Sequence, residues 1–229
     1  MTDQLALLPE RESRGDRELR IRYLWEAYQT ILNGRSILDV GADECHLKRF
    51  LDAKSTYWGI GRGGHPDEIV DLDRERIPYG DDSFDVVLCL DVLEHLESIH
   101  KTFDELCRVS RRHVLITLPN PLGGLMTRLT RFSDYAPGRL TKFYGLPSDP
   151  PEDRHRWFFD VDEAERFVRE RAERNSMLIE ELTFRPFDMG KRRRLGRMKD
   201  WATQRLLRKE LQGRRTTPGT LWVLLAKAP

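Results

Sequence analysis

The sequence predicts a doubly wound α/β fold with a mostly parallel sheet, and three observations carry that expectation. Short apolar runs alternate with stretches of helical periodicity, the order produced when crossover helices join parallel strands. Residues 84–90, Phe-Asp-Val-Val-Leu-Cys-Leu, form a nearly continuous apolar run, as in a strand buried on both faces. At 229 residues, 39% of them hydrophobic, the chain can bury a full core as one domain without disulfide or metal staples.

The elements follow in order. Behind a polar leader, Ile21, Leu24, Trp25, Tyr28, Ile31 and Leu32 recur at helical spacing, with Asp16 as a start signal and Asn33-Gly34 as a stop. Ser36-Ile37-Leu38-Asp39-Val40-Gly41 reads as a first strand ending in glycine. Leu47, Phe50 and Leu51 then place a helix over 46–53. Strands are expected at 56–60 and 69–72. Gly61-Arg62-Gly63-Gly64-His65-Pro66 between them is too short and broken for a crossover helix. After the strand at 84–90 come a helix at 102–109 and a strand at 113–118, closed by Pro119-Asn120-Pro121. Residues 122–153, rich in glycine, proline and aromatics, are expected as short helices and loops forming a lid or wall. A helix at 160–174, a strand at 177–184, a basic helix at about 191–211 and a last strand at 220–227 complete the chain.

Composition narrows the function classes. The 39 basic and 38 acidic residues nearly cancel, so no overall field points to nucleic acid. Cys45, Cys89 and Cys107 lack C-x-x-C spacing and cannot all pair, which fits a reducing compartment and core thiols better than a metal site. No metal ligand set is read. No apolar stretch approaches the roughly 20 residues of a spanning helix, so a soluble, cytoplasmic protein is expected. From Lys191 onward to Arg215, eleven basic residues face only Asp200 and Glu210. That stretch is a candidate contact for an anionic membrane surface, acidic glycan, lipid head group or RNA, or simply a solvated face.

In a doubly wound sheet, ligands bind beyond the carboxyl ends of the strands where strand order reverses. Asp39, Gly41, Ala42 and Asp43 occupy the first such turn. Gly41 admits close backbone approach, and Asp39 offers an acceptor for an ammonium group. An acid-x-Gly turn after an apolar strand, followed by Asp82-Ser83-Phe84-Asp85-Val86-Val87 and by Asp91-Val92-Leu93-Glu94-His95-Leu96, resembles class I S-adenosylmethionine-dependent methyltransferases of the type 11-like family. The resemblance runs over about 36–121. It implies a seven-stranded Rossmann-like sheet, helices on both faces, and an antiparallel last strand. It also implies one domain over 1–229: an N-terminal helical segment (1–34), a cofactor-binding half (35–121), a substrate-wall insertion (122–159) and a C-terminal half (160–229).

The site residues that the resemblance implies come from four places. Asp39, Gly41, Ala42 and Asp43 would meet the methionine end of S-adenosylmethionine, and Gly61 stands where the family's ribose-binding acid is expected. Asp73 would accept from the adenine amino group, with Leu72 and Arg74 flanking the ring. Leu90 and Asp91 would lie beside the cofactor at the end of the fourth strand. His95, and His155 in Asp153-Arg154-His155-Arg156-Trp157-Phe158-Phe159, are the candidates for proton transfer, and Tyr144, Arg154 and Trp157 for the same wall.

Asp43 and Cys45 stand where the family has later glycines. A carboxylate there suits a sulfonium and ammonium ligand better than a pyrophosphate. The expected activity is methyl transfer to a hydroxyl, or less readily an amine, of a small molecule, sugar or lipid-linked glycan. Two other classes remain at this stage: a catalytically silent binding protein using the basic helix, and an oxidoreductase in which Arg62 holds the 2′-phosphate of a nicotinamide dinucleotide.

Overall fold

A computed structural model describes residues 14–130, 149, 154–186 and 213–228. The chain order is α1 (Arg14–Leu32), β1 (Ser36–Val40), β2 (Thr56–Gly61), β3 (Glu68–Ile69), β4 (Phe84–Leu90), α2 (Ile99–Val109), β5 (Ser110–Pro119), α3 (Pro121–Thr130), α4 (Val161–Arg174), β6 (Met177–Pro186) and β7 (Gly219–Lys227). One seven-stranded sheet runs β3-β2-β1-β4-β5-β7-β6. Strands β3 through β5 pair in parallel, and β7 runs antiparallel to both β5 and β6. The expected doubly wound sheet with an antiparallel last strand is therefore present.

Side-chain alternation explains the two-faced core. In β1, Ile37 faces one cluster and Leu38 the other, and in β4 Val86 and Leu88 oppose Val87 and Cys89. One face buries Leu24, Tyr28 and Leu32 of α1 around Trp222. Trp222 stacks on Tyr28 at 6.0 Å and meets Tyr23 edge-on at 5.3 Å. The opposite face buries Phe103 and Leu106 of α2 with Val168 and Ala172 of α4. With helices on both sides, the central strands carry apolar residues at successive positions, which is why β4 reads as a continuous run.

Two expectations need correction. Residues 46–53 do not form a full helix, and only His46–Arg49 makes a 3-10 turn. Cys45 sits at φ 51 immediately before it, which delays the helical start. Asp52 Oδ1 then accepts from Gly34 N–H (3.1 Å) and Ser55 N–H (2.9 Å), which turns the chain toward β2. Strand β3 is also shorter than 69–72, because beyond Ile69 the edge holds only through Val70 N–H to the Gly61 carbonyl at 3.0 Å.

The α4 start is a capping box. The Asp160 carboxylate accepts from Asp162 and Glu163 N–H, while the Glu163 carboxylate accepts from Asp160 N–H at 3.0 Å. Arg215 pairs with Asp160 at 2.5 Å, and Arg214 with Asp162 (2.7 Å) and Glu165 (2.6 Å). The last two bases of the basic stretch thus secure α4. Residues 191–212, like Tyr144 and most of the expected wall, lie outside the described residues. Among the described residues, no helix is long and apolar enough to cross a membrane.

Candidate active site

Strand β1 lies between β2 and β4, so the connections leaving its neighbours diverge and open a crevice at its carboxyl end. Beyond β1 the backbone turns through three left-handed residues: Gly41 (φ 82), Asp43 (φ 49) and Cys45 (φ 51). Asp43 and Cys45 replace expected glycines and still adopt the conformation that glycine favours, at roughly 1 kcal/mol or more each. Gly41 and Ala42 N–H both donate to the Ile60 carbonyl, at 2.7 and 3.1 Å, which anchors the loop to the end of β2. A Cβ on Gly41 would lie 2.2 Å from Val92 Cγ2. The loops after β1 and β4 are therefore in contact, and only glycine fits between them.

Asp39 is a buried carboxylate of this crevice. Tyr57 O–H donates to Asp39 Oδ2 at 2.5 Å, yet burial still pushes the carboxyl up to about 6. Tyr57 in turn titrates far above its ordinary value, through its own burial and then the adjoining Asp39 carboxylate. Cys45, Cys89 and Cys107 are all free thiols in buried positions. Burial, followed by Glu94 and Asp39, raises the Cys89 thiol, which holds it neutral at the end of β4.

On the β2 side, Gly61 leaves open backbone: a Cβ there would lie 3.4 Å from Gly41 Cα, ordinary contact distance. The nearby acids are held elsewhere. Asp67 accepts from Gly59 N–H at 2.8 Å and pairs with Lys48 at 2.5 Å, while Glu68 accepts from Tyr79 O–H at 2.5 Å. The glycine-rich loop folds back on the first turn through His65 N–H to the Asp43 carbonyl, 2.8 Å. Arg62 faces Asp71 at 3.6 Å, so a carboxylate stands by the cation that a 2′-phosphate would need.

Asp73 Oδ1 accepts from Ser98 N–H at 3.0 Å, and Ser98 O–H donates to the Leu72 carbonyl at 2.9 Å. The 72–73 segment is thereby tied to the start of α2. Leu72 is buried, whereas the Arg74 side chain points largely into solvent.

At the end of β4, Asp91 takes φ 53 and accepts from Thr117 O–H at 2.8 Å. It also forms an ion pair with Arg20 of α1, which brings the N-terminal helix over this end of the sheet. Neither Arg20 nor Tyr57 was legible as a site residue, because both reach the crevice by lateral packing that no local spacing encodes.

The 3-10 turn Leu93–His95 follows. Its Glu94 carboxylate is buried, and Oε1 lies 3.7 Å from His95 Nε2. His155, sixty residues later, packs its ring edge-on against His95 with centroids 4.5 Å apart. Arg156 N–H to the Glu94 carbonyl (2.8 Å) and Trp157 Nε1–H to the Leu96 carbonyl (2.6 Å) fasten the two segments together. The two histidines read separately from sequence are neighbours.

Residues 52–117 match the family described as a methyltransferase domain. The chain has the class I methyltransferase fold. Magnesium protoporphyrin IX methyltransferase from Synechocystis PCC 6803 with bound SAH is similar at a TM-score of 0.51 and 14% identity, over 95% of this chain and 89% of that one. The putative methyltransferase complexed with the Trm112 methyltransferase activator of Haloferax volcanii gives 0.52 and 16%, over 96% and 97%. The [4+2]-cyclase SpnF gives 0.54 and 15%, over 96% and 86%, so this architecture alone does not name the reaction. No curated protein matches the chain. The resemblance read over about 36–121 is borne out by the family match over 52–117 and by the fold.

Proposed function

We propose that the chain is an S-adenosylmethionine-dependent methyltransferase whose acceptor is a hydroxyl oxygen of a small molecule, sugar or lipid-linked glycan. The observation that carries the reading is Asp39, a buried carboxylate at the end of the central strand, beside a left-handed loop backed by Val92. Its cost of burial is offset when a cation arrives, and the ammonium and sulfonium of the donor supply one.

Asp39, Gly41, Ala42 and Asp43 hold the methionine end, aided by Leu90 and Asp91. Leu72, Asp73 and Arg74 flank the adenine, and the ribose lies against the backbone at Gly61. The acceptor oxygen attacks the methyl carbon as the carbon–sulfur bond breaks, and the electron pair passes to sulfur. His95 and His155 contact the acceptor. Because a sulfonium is already activated, holding donor and acceptor in line supplies much of the rate.

Gly61 favours a second reading, a methyltransferase-fold protein that binds without turnover. Incubation of the protein with methyl-tritiated donor and fractionated extracts separates the two. Label recovered in an oxygen-linked methyl group supports the proposal, and label in an amine overturns the oxygen assignment. Donor binding without any label transferred favours the silent protein.

A further inference from the structure

We infer that Glu94, His95 and His155 form a binding site for one divalent transition-metal ion, zinc being the first expectation. One ligand atom from each residue lies within 4.8 Å of the other two. Around tetrahedral zinc, with bonds of about 2.0–2.1 Å, ligand atoms stand roughly 3.3 Å apart. The Glu94 Oε1 to His95 Nε2 distance is 3.7 Å, so little adjustment closes that edge. Less than about 1 Å of movement by each side chain closes the widest one.

Backbone hydrogen bonds already hold the ligand-bearing segments together. Glu94 and His95 share one 3-10 turn, and the Glu94 carbonyl receives Arg156 N–H, which sets His155 above it. Two imidazoles and a carboxylate are the donor set of catalytic zinc sites, in which a fourth position stays open to water or substrate. No sequence motif announces the site, because its third ligand comes from the far side of the 122–153 insertion.

The ion's role deepens the methyl-transfer reading and rests on it, whereas the binding itself does not. An acceptor hydroxyl bound at the open position loses its proton to solvent water, since a coordinated oxygen acid is strengthened. The resulting oxyanion forms the new bond to the methyl carbon, and the carbon–sulfur pair stays on S-adenosylhomocysteine. The imidazoles then act as ligands rather than as the base.

The test uses untagged full-length protein, stripped with chelator and titrated with zinc by calorimetry and with cobalt by visible absorption. One ion per chain, with a ligand-field band of a nitrogen and oxygen site, is expected. Glu94→Gln, His95→Ala and His155→Ala should each weaken binding at least tenfold, while His113→Ala, on β5, should leave it unchanged. Circular dichroism checks that each variant is folded. Failure of the folded wild-type chain to bind either ion overturns the site, as does binding indifferent to all three ligand changes. S-Adenosylhomocysteine titrated into the metal-free chain reads the donor site separately. A chain that binds this ligand but neither metal ion defeats this inference alone, and a chain that binds metal but not this ligand defeats only the cofactor reading.

Discussion

Asp39→Asn separates what the buried carboxylate costs the fold from what it contributes to binding. Burial lifts its carboxyl from 3.8 to about 6, with the Tyr57 hydroxyl only partly opposing the shift. Between these values the folded chain retains a proton that the unfolded chain has released. The contribution to stability is therefore full below about pH 4 and is lost as pH rises through about 6. A shift of about two units, at about 1.4 kcal/mol each, sets the loss near 3 kcal/mol. Asparagine keeps the shape and still accepts from Tyr57 O–H, but it never ionises. The ligand-free variant should match the wild type near pH 4 and exceed it at pH 7.5 by up to about 3 kcal/mol, or roughly 6–12 °C in melting temperature. Its affinity for S-adenosylhomocysteine should fall at least tenfold. Thermal melts across pH and calorimetry on the same samples read both effects. A variant no more stable than wild type at pH 7.5, or one that binds the ligand as tightly, would refute the reasoning.

Three further changes probe the same crevice. Gly41→Ala forces a Cβ to 2.2 Å from Val92 at φ 82 and should cost about 2–4 kcal/mol in urea unfolding. Adding Val92→Ala should recover part of that loss, and strictly additive effects would mean the two residues do not meet. Gly61→Asp meets neighbours only at ordinary distances and should be tolerated. It should tighten S-adenosylhomocysteine binding about tenfold or more through charge-assisted bonds to the ribose, so weaker binding in a folded variant contradicts the placement. Asp73→Ala should weaken the same ligand by about 1–3 kcal/mol, whereas unchanged affinity reduces Asp73 to its bond with Ser98.

The fold was largely legible because its signals are local. Nearly continuous apolar runs made β4 and β5 stand out, and the helix at 160–174 was legible, though its capping box is seen only in the structure. Edges were less legible: β3 has two residues, too few for any period to register. The helix expected at 46–53 failed because Cys45 and Asp52 impose turns that apolar spacing does not reveal. At the site, the Asp39 to Asp43 turn was legible as the first strand-to-helix turn of a doubly wound sheet, and the Leu93–His95 step through its resemblance to the methyltransferase family. What brings Tyr57 to Asp39, Arg20 to Asp91, or His155 to His95 is tertiary packing, and no spacing along the chain contains it. Gly61 was legible as a missing acid, but the reason Asp67 and Glu68 do not replace it is visible only in their bonds to Gly59 and Tyr79.

The account rests on a donor site at the end of β1, and calorimetric titration of the full chain with S-adenosylmethionine and S-adenosylhomocysteine tests it most directly. Saturable binding of both at one site per chain, weakened by Asp39→Asn, is the predicted result. No detectable heat or saturation with either ligand at millimolar concentration would contradict it.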